Sequence, residues 1–361
     1  MKHPLLLGSV SPRPLHPPKL GIDASRSTRS CPTGVERYSS EILRALLPEL
    51  EGFEVRLYTP KVIEGFPRKL QKILWFPRLW SLVRLSWEML WHKPDLLFVP
   101  AHVLPFFAPK RSFVTVHDVA FRKIPSAYGW RARWYLNWST RRAVRKCEMI
   151  FVPSEAVAVD LLKFYGAKRV TVVPHGPLSL PSIQVKRSPD PLFFFLGRLE
   201  AKKNITTLLE AWSIYSRENV GHLILAGKTV RGYSLPAVEN VDLLGYVDEK
   251  EASRLFHTST ALVFPSLEEG FGFPLLQAFE AQCPVICSDI PALREVGGDA
   301  ALYVDPLDAT GFADAMRRLA SDARLREELV ARGQKRLKQF SWKKAAQALT
   351  SVFKKSDVHS S

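Results

Sequence analysis

Short apolar runs separated by longer amphipathic segments are the dominant pattern along the chain. The first half contains KLGID, EVRLY, DLLFV, SFVTVH, MIFVP and VTVVP, and the second half contains LFFFLG, HLILAG, VDLLG, ALVFP, PVICS and ALYV. These runs are rich in β-branched and aromatic residues, which is typical of strands buried on both faces of a sheet. Helical periods such as SEAVAVDLLKFYG and NITTLLEAWSIYS separate most of them. The alternation predicts parallel sheets with helices on both faces.

One segment breaks this alternation. Residues 174–191 contain five prolines and no helical period, so they are interpreted as a linker. The predicted organisation is a Rossmann-like domain over 1–175, a linker over 176–191, a second Rossmann-like domain over 192–340 and a C-terminal helix over 341–361 that can pack back on the first domain. Ligands of such sheets bind at the carboxyl ends of the strands, so two facing sheets would form a cleft at the linker.

Composition adds one unusual feature, the charge. The chain has 361 residues, 46% of them hydrophobic and 24% charged, which is ordinary for a soluble globular protein. The net charge of +16 suggests an anionic partner, which could be a nucleic acid, a phosphate-rich substrate or an anionic membrane surface. A basic surface that serves only solubility is the alternative.

Two segments combine basic residues with tryptophan. Between Val119 and Cys147 there are eight Lys/Arg and no acidic residue, interleaved with Trp130, Trp134, Tyr135 and Trp138. Between Arg68 and Lys93 lie Trp75, Trp80, Trp87 and Trp91; the last three are spaced for one face of a helix that Pro77 could open. Such helices can lie on anionic lipid, or the tryptophans can be core residues beneath a solvated charged face.

Cysteine usage and hydropathy bear on location. Cys31, Cys147, Cys283 and Cys287 show no metal-binding spacing, and Cys283 and Cys287 flank an apolar run, which favours buried free thiols. Nothing in the sequence requires disulfides, which fits a reducing compartment. The N-terminal apolar run is too short for a signal peptide, and no apolar run reaches membrane-spanning length. We therefore expect a cytoplasmic protein that can also lie on the inner face of the membrane.

Four loops carry candidate chemistry. In FLGRLEAKKN, Arg198 and Lys203 precede a helix expected to begin near Asn204, and cations beside a helix N-terminus favour phosphate. FVTVHDVAF places His117 and Asp118 at a strand end, where α/β sheets carry their chemistry. The alternatives are solvated surface charge and a histidine satisfied in the core.

The other two loops contain glycine. In PSLEEGFGFPLLQAFE, Gly270 and Gly272 let the backbone approach a ligand, Glu269 can accept hydrogen bonds from sugar hydroxyls, and Gln277 is expected to point back to the same cleft. The alternative is an ordinary strand-to-helix loop in which Glu269 caps the helix. Gly34 precedes an amphipathic helix in RSTRSCPTGVERYSSEIL.

Taken together, these motifs resemble the retaining glycosyltransferases of family 4, whose GT-B fold has two Rossmann-like domains facing across a cleft. The resemblance extends over nearly the whole chain: TGVERYSSEIL, VHDVAF, VPSEAVAVDLLKFYG, VVPHG, FLGRLEAKKN, LILAG, LGYV and the long segment from LVFPSLEEGFGF to ALYVDP follow in the family's order. It implies donor-diphosphate roles for Arg198 and Lys203, a backbone approach to the donor at Gly34, and an active-site role near the donor sugar for His117.

The same resemblance makes Glu269 the first glutamate of the family's E-x7-E motif, which holds donor sugar hydroxyls. The N–H groups around Gly270, Phe271 and Gly272 would line that pocket. Gln277 stands where the family usually has the second glutamate, which holds ribose hydroxyls. Gln277 can still accept a hydrogen bond, but without charge assistance, so a weaker bond is expected.

The function implied is transfer of a hexose from a nucleotide-diphosphate sugar to a glycan or lipid-linked acceptor, without a cofactor. Overall similarity to bacterial mannosyltransferases of surface polysaccharide pathways favours GDP-mannose; UDP-sugars and a non-catalytic relative stay open. No two aspartates are two positions apart, which with Arg198 and Lys203 favours metal-independent chemistry. A nucleic-acid partner is not expected, because no reading module is recognisable. A dinucleotide-dependent oxidoreductase is disfavoured, because Leu275 holds the third glycine position of G-x-G-x-x-G.

Overall fold

Two parallel sheets organise the protein in its computed structural model, which describes residues 16–28, 33–76 and 80–358. The first sheet has the order β3-β2-β1-β4-β5-β6-β7, and the second has the order β10-β9-β8-β11-β12-β13. The strands are β1 Lys19–Asp23, β2 Glu54–Thr59, β3 Gln71–Ile73, β4 Leu96–Val99, β5 Arg111–Thr115, β6 Met149–Val152, β7 Val170–Val172, β8 Leu192–Leu196, β9 His222–Ala226, β10 Val241–Gly245, β11 Ala261–Phe264, β12 Val285–Ser288 and β13 Leu302–Val304.

Helices cover both faces of each sheet, as the strand–helix alternation predicted. They are α1 Gly34–Leu46, α2 Arg84–Trp91, α3 Ala120–Lys123, α4 Trp130–Lys146, α5 Glu155–Tyr165, α6 Ile205–Tyr215, α7 Glu249–Thr258, α8 Phe273–Glu280, α9 Pro291–Gly297, α10 Ala309–Ser321, α11 Ala323–Leu337 and α12 Trp342–Val358. None of these helices combines the length and hydropathy needed to cross a bilayer.

All twelve apolar runs form strands, so the prediction of two doubly wound α/β domains is confirmed. The sequence pattern missed β3, a three-residue strand at the edge of the first sheet with two polar residues. Between β7 and β8 the structure has no helix or strand, and the predicted linker lies within this stretch.

Each sheet has its own core. The C-terminal domain buries one large cluster that includes Phe193, Phe194, Trp212 and Phe264. The N-terminal domain buries one cluster on each face of its sheet. Helix α12 belongs to one of these two clusters, although it comes last in the chain: it packs against α1, and its Phe353 ring lies 4.9 Å from the ring of Phe113.

The predicted tryptophan helix is partly wrong. Helix α2 begins at Arg84, so Trp80 precedes it, and Pro77 lies outside the described residues. The Trp80 ring packs against the core, and its Nε1 donates a hydrogen bond to the Leu74 carbonyl oxygen at 2.7 Å. That bond holds Trp80 in the preceding turn.

Three of the four cysteines lie in the described part of the chain. Cys147, Cys283 and Cys287 are free and buried there, as the sequence predicted, and Cys31 lies outside it. Burial raises the pKa of the Cys147 thiol to about 12.

Candidate active site

A cavity of about 430 Å³ opens between the two domains, at the carboxyl ends of their strands. The structure places every site residue predicted from the sequence on its wall: Gly34, His117, Arg198, Lys203, Glu269, Gly270, Phe271, Gly272 and Gln277. Glu280, one helical turn beyond Gln277, instead accepts a hydrogen bond from the Leu180 backbone N–H at 3.3 Å. The rule that ligands bind at the carboxyl ends of parallel strands therefore correctly predicted one site for residues that are far apart in sequence.

The glycine turn before α8 is where the two domains meet most closely. A Cβ on Gly270 would overlap the carbonyl oxygen of His117, so only glycine fits there. Ser154 of the N-terminal domain donates a hydrogen bond to the Gly270 carbonyl oxygen at 2.7 Å. Gly272 has φ of +106°, a backbone conformation that favours glycine.

This turn also leaves a helix N-terminus open to the cavity. Gly272 is the N-cap of α8 and supplies no capping side chain, Pro274 has no N–H, and the Leu275 N–H donates to the Gly272 carbonyl oxygen at 3.1 Å, so the Phe273 N–H is the group of this turn that a ligand can reach. Gly272, Phe273 and Pro274 all line the cavity. The alternative that Glu269 caps this helix is wrong, because Glu269 lies three residues before the N-cap and contacts Lys203 instead.

Lys203 and Glu269 form an ion pair on the cavity wall. The Lys203 ammonium donates to the Glu269 carboxylate, and it also lies 5.0 Å from the centre of the Phe264 ring. Lys203 ends a short turn after β8, and the next residue, Asn204, has the left-handed φ of 56° at the start of α6. The Asn204 side chain donates to the Pro265 carbonyl oxygen at 3.1 Å and does not cap α6. It thereby fixes the Lys203 loop to the loop that carries Glu269.

The side chain of Arg198 makes fewer contacts with the protein than that of Lys203. Its side chain is 53% exposed, and its nearest carboxylate is that of Glu200, 3.7 Å away. Its guanidinium is therefore available to a ligand in the cavity.

His117 lies half-buried two residues after β5, with its ring in a T-shaped contact with the ring of Tyr38. Its Nε2 lies 3.0 Å from the Pro100 carbonyl oxygen. A carbonyl oxygen only accepts hydrogen bonds, so Nε2 carries the proton and Nδ1 has a free lone pair. Burial lowers the pKa of His117, which keeps the ring neutral.

Gln277 and Gly34 line the cavity from the C-terminal and N-terminal domains, respectively. Gln277 is buried on α8, with its backbone carbonyl bonded to the Ala281 N–H. Gly34 opens α1, whose first turn has a capping box between Thr33 and Glu36. A Cβ on Gly34 would approach only the Phe273 ring, at 3.7 Å, so its protein neighbours do not require glycine here.

A second ion pair was not singled out from the sequence. Lys202 lies 3.3 Å from the Asp118 carboxylate across the domain boundary, and both side chains line the cavity. Burial alone would raise the pKa of Asp118, but the Lys202 ammonium and the Ala120 N–H lower it to about 2. The sequence did contain a signal for this pair, because each residue is next to a predicted site residue: Lys202 precedes Lys203, and Asp118 follows His117.

His175, from the VVPHG motif, is another cavity residue to which the sequence assigned no role. It lines the cavity, and neither ring nitrogen has a hydrogen-bond partner among the described residues. Its ring is stacked on Phe273 at 5.3 Å and on Trp342 at 5.8 Å. Burial holds the pKa of His175 well below its usual range, so the ring is neutral.

Further contacts hold the domains together beside the cavity. Lys123 lies 2.7 Å from Glu268, and Glu295 accepts hydrogen bonds from the Glu155 and Ala156 N–H groups at the start of α5. Burial raises the pKa of Glu268 to about 7, against the opposing effect of the Lys123 ammonium.

Comparison with known proteins gives the family. The model of Glycosyltransferase Family 4 matches residues 32–176, and the model of Glycosyl transferases group 1 matches residues 179–336. Together they cover most of the chain.

Two relatives of similar length are mannosyltransferases. The chain is 26% identical to the O-antigen chain mannosyltransferase B of Escherichia coli, over 89% of this chain and 96% of that protein. It is 25% identical to the O-antigen chain mannosyltransferase RfbU of Salmonella typhimurium, over 70% of this chain and 72% of that protein.

Solved structures share the fold. A sucrose-phosphate synthase from Thermosynechococcus elongatus superposes with a TM-score of 0.74 at 18% identity, over 95% of this chain and 100% of that one. Anabaena HepE in complex with UDP-glucose superposes with a TM-score of 0.70 at 15% identity, over 93% of this chain and 99% of that one. With both halves matched by family models, the chain belongs to glycosyltransferase family 4, retaining hexosyltransferases of the GT-B fold.

Proposed function

We propose that the protein transfers a hexose, with mannose favoured, from a GDP-sugar to a glycan or lipid-linked acceptor, without a metal ion. The observation that carries this proposal is the single cavity in which Arg198, Lys203, Glu269 and the first residues of α8 converge. Such a set suits an anionic diphosphate with a hydroxyl-rich sugar beside it. The mannosyltransferase names of the two relatives support the choice of sugar.

Arg198 and Lys203 take the donor diphosphate in this proposal. Negative charge builds on the leaving diphosphate as its bond to the sugar breaks, so fixed cations stabilise the transition state more than the ground state. The exposed guanidinium of Arg198 is free to contact the phosphates, whereas Lys203 is already positioned by its contacts with Glu269 and Phe264.

Glu269 and His117 take the donor sugar. The ion pair with Lys203 sets Glu269 beside the diphosphate position, where its second oxygen can accept from a sugar hydroxyl. The His117 Nδ1 lone pair is a second acceptor on the N-terminal side of the cavity. Gly34 admits the ligand because a side chain there would occupy the space between α1 and α8.

The acceptor attacks from the face that the diphosphate leaves, which preserves the anomeric configuration. The bond from the sugar C1 to the phosphate oxygen breaks, the acceptor oxygen bonds to C1, and the acceptor proton passes to the leaving phosphate oxygen. This route requires no protein nucleophile. It agrees with the ion-paired state of Glu269, the carboxylate proposed to hold the sugar hydroxyls.

Thermal-shift titration with GDP and UDP, each with and without EDTA, tests the proposal. We expect GDP to stabilise the protein, because a ligand at a hundredfold excess over its dissociation constant adds about 2.7 kcal/mol to the free energy of unfolding. EDTA should not change the shift. A shift with UDP alone would show that the donor is a UDP-sugar, and no shift with either nucleotide would make Gln277 the prime suspect, with Gln277→Glu as the next protein to test. Sugar transfer from GDP-mannose to isolated glycans then tests the reaction.

Gln277→Glu should tighten GDP binding by about fivefold, because hydrogen bonds to a charged acceptor are about 1 kcal/mol stronger than neutral ones. Calorimetric titration with GDP measures the dissociation constant. Gln277→Met, which keeps the size of the side chain but has no strong acceptor, should weaken binding. Equal affinity in all three proteins would contradict a ribose contact at this position.

A further inference from the structure

An exposed aromatic and basic surface lies on the N-terminal domain, outside the cavity. We call it the tryptophan–arginine face and define it by Trp87 and Trp91 of α2, Phe106 of the loop after β4, and Trp134, Arg141 and Arg145 of α4. The tryptophans are 62% to 67% exposed, although tryptophan is among the largest apolar side chains. The alternative that these tryptophans are core residues is therefore wrong.

Helix α4 aligns its aromatic and basic side chains. At 100° per residue, Trp130, Trp134, Trp138, Arg141 and Arg145 fall within an arc of about 80° on one side of the helix. The opposite side holds the buried residues of α4, Ser139, Thr140 and Ala143. The helix thus has its tryptophans in the first half of the outward face and its arginines in the second half.

Helix α2 repeats the arrangement on a smaller scale. Trp87, Leu90 and Trp91 are exposed, whereas Leu85 and Met89 are buried. The rings of Trp87 and Trp91 lie 6.3 Å apart, as expected for positions four residues apart on one helix face.

The loop after β4 joins the two helices into one surface. The Phe106 N–H donates to the Ser86 Oγ of α2 at 2.8 Å, and the Phe106 ring lies 5.9 Å from the Trp138 ring of α4. Arg142 of α4 donates to the carbonyl oxygens of Leu104 and Pro105 at 2.7 Å. These bonds fix the loop, so the face has a defined shape.

The positive charge of this face indicates which kind of partner binds it. Helix α4 has six Lys/Arg and no acidic residue, and the one acid of α2, Glu88, is buried against Lys72. A second copy of the chain would bring like charges together. A nucleic acid would use the aromatic rings for stacking but would gain nothing from the aliphatic Leu90. An anionic bilayer accepts aromatic and aliphatic side chains together and attracts the arginines.

We propose that the tryptophan–arginine face binds the surface of an anionic lipid bilayer, with its tryptophans in the interfacial layer and Arg141 and Arg145 on the lipid head groups. Phe106 is six residues after Pro100, whose carbonyl oxygen is hydrogen-bonded to the cavity residue His117. Six residues of extended chain span about 20 Å, so this is the largest distance between Phe106 and Pro100 at the edge of the cavity. Delivery of a lipid-linked acceptor along this path rests on the proposed function, whereas binding of the bilayer does not.

Co-sedimentation with vesicles tests the proposal directly. The full-length protein is mixed with vesicles of phosphatidylglycerol and phosphatidylcholine, or of phosphatidylcholine alone, at low and high salt. We expect sedimentation with the anionic vesicles at low salt and much weaker binding to the neutral ones. Arg141→Gln with Arg145→Gln should lower the partition coefficient about 25-fold, since each basic residue contributes about fivefold. Trp87→Ser with Trp91→Ser should lower it at least about tenfold at both salt concentrations.

Matched controls use the C-terminal domain. Val220→Ser with Leu307→Ser removes two side chains that are each 74% exposed, and Lys335→Gln with Lys338→Gln removes two exposed charges; neither pair should change sedimentation. Thermal shift with GDP, measured on every variant, separates loss of lipid binding from failure of the donor site. Wild-type protein that stays in solution with anionic vesicles would overturn the proposal. So would face variants that behave like the controls, or tryptophan variants that lose binding only to a single-stranded oligonucleotide.

Discussion

Lys203→Ala is expected to lower kcat/KM for sugar transfer by about 100- to 1,000-fold, the cost of removing one preorganised group that stabilises transition-state charge. The ammonium lies on the cavity wall, fixed by Glu269 and by the face of Phe264. Its loss also leaves the Glu269 carboxylate without its partner, facing the incoming diphosphate. Most of the effect should appear in kcat, because charge on the diphosphate grows as the glycosidic bond breaks.

Steady-state kinetics with GDP-mannose, or with whichever donor the nucleotide titration selects, measures this effect. Lys203→Arg keeps the charge and should recover part of the activity. Lys250→Ala removes a lysine exposed on α7 and serves as the matched control, with unchanged kinetics. Transfer by Lys203→Ala at the wild-type rate would remove Lys203 from the diphosphate site.

Phe353→Ala is expected to destabilise the N-terminal domain by about 3–5 kcal/mol, the usual cost of truncating a buried phenylalanine. The ring is completely buried in α12 and contacts the aromatic rings of Phe98, Phe113 and Phe151. Truncation leaves a cavity among three rings that are themselves anchored in strands, so these rings cannot move far enough to fill it.

Denaturant unfolding followed by circular dichroism measures this loss of stability. We expect one unfolding transition for each domain, with a lower midpoint for the transition of the N-terminal domain. Phe107→Ala, which truncates a half-exposed phenylalanine of the same domain, should change stability by less than about 0.5 kcal/mol. An equal effect of the two substitutions would show that α12 contributes little to the core.

The strands were predictable because buried parallel strands are continuous apolar runs. Twelve strands had such an apolar run, including the edge strand β10, which is largely exposed, whereas β3 did not, since an edge strand with polar residues resembles a loop. Trp80 was misplaced for a different reason: helical spacing cannot show that a hydrogen bond to Leu74 holds a residue in the preceding turn.

The cavity was predictable as far as strand ends define it. Loops after β5, β8 and β11 had to meet at the carboxyl edges of their sheets, and they supply His117, Arg198 and Glu269. Contacts between the domains could not be predicted, because they depend on how two separately folded sheets face each other. Lys202 and Lys203 are neighbours of the same type in sequence, yet one pairs with Asp118 in the other domain and the other pairs with Glu269.

Helix α12 also determines the order in which the chain can finish folding. Its Gln347 is hydrogen-bonded to Glu49, 298 residues earlier, and its Ala346, Leu349 and Phe353 complete the core beside β1 and β4. The C-terminal core draws its fully buried members from residues 192–329. On the ribosome, the N-terminal domain emerges first, but its aromatic groove stays uncovered until α12 has been synthesised. The C-terminal domain emerges second and can complete its core before the N-terminal domain does. A fragment of residues 1–175 would keep that groove exposed and would be prone to aggregate, as incompletely packed intermediates are.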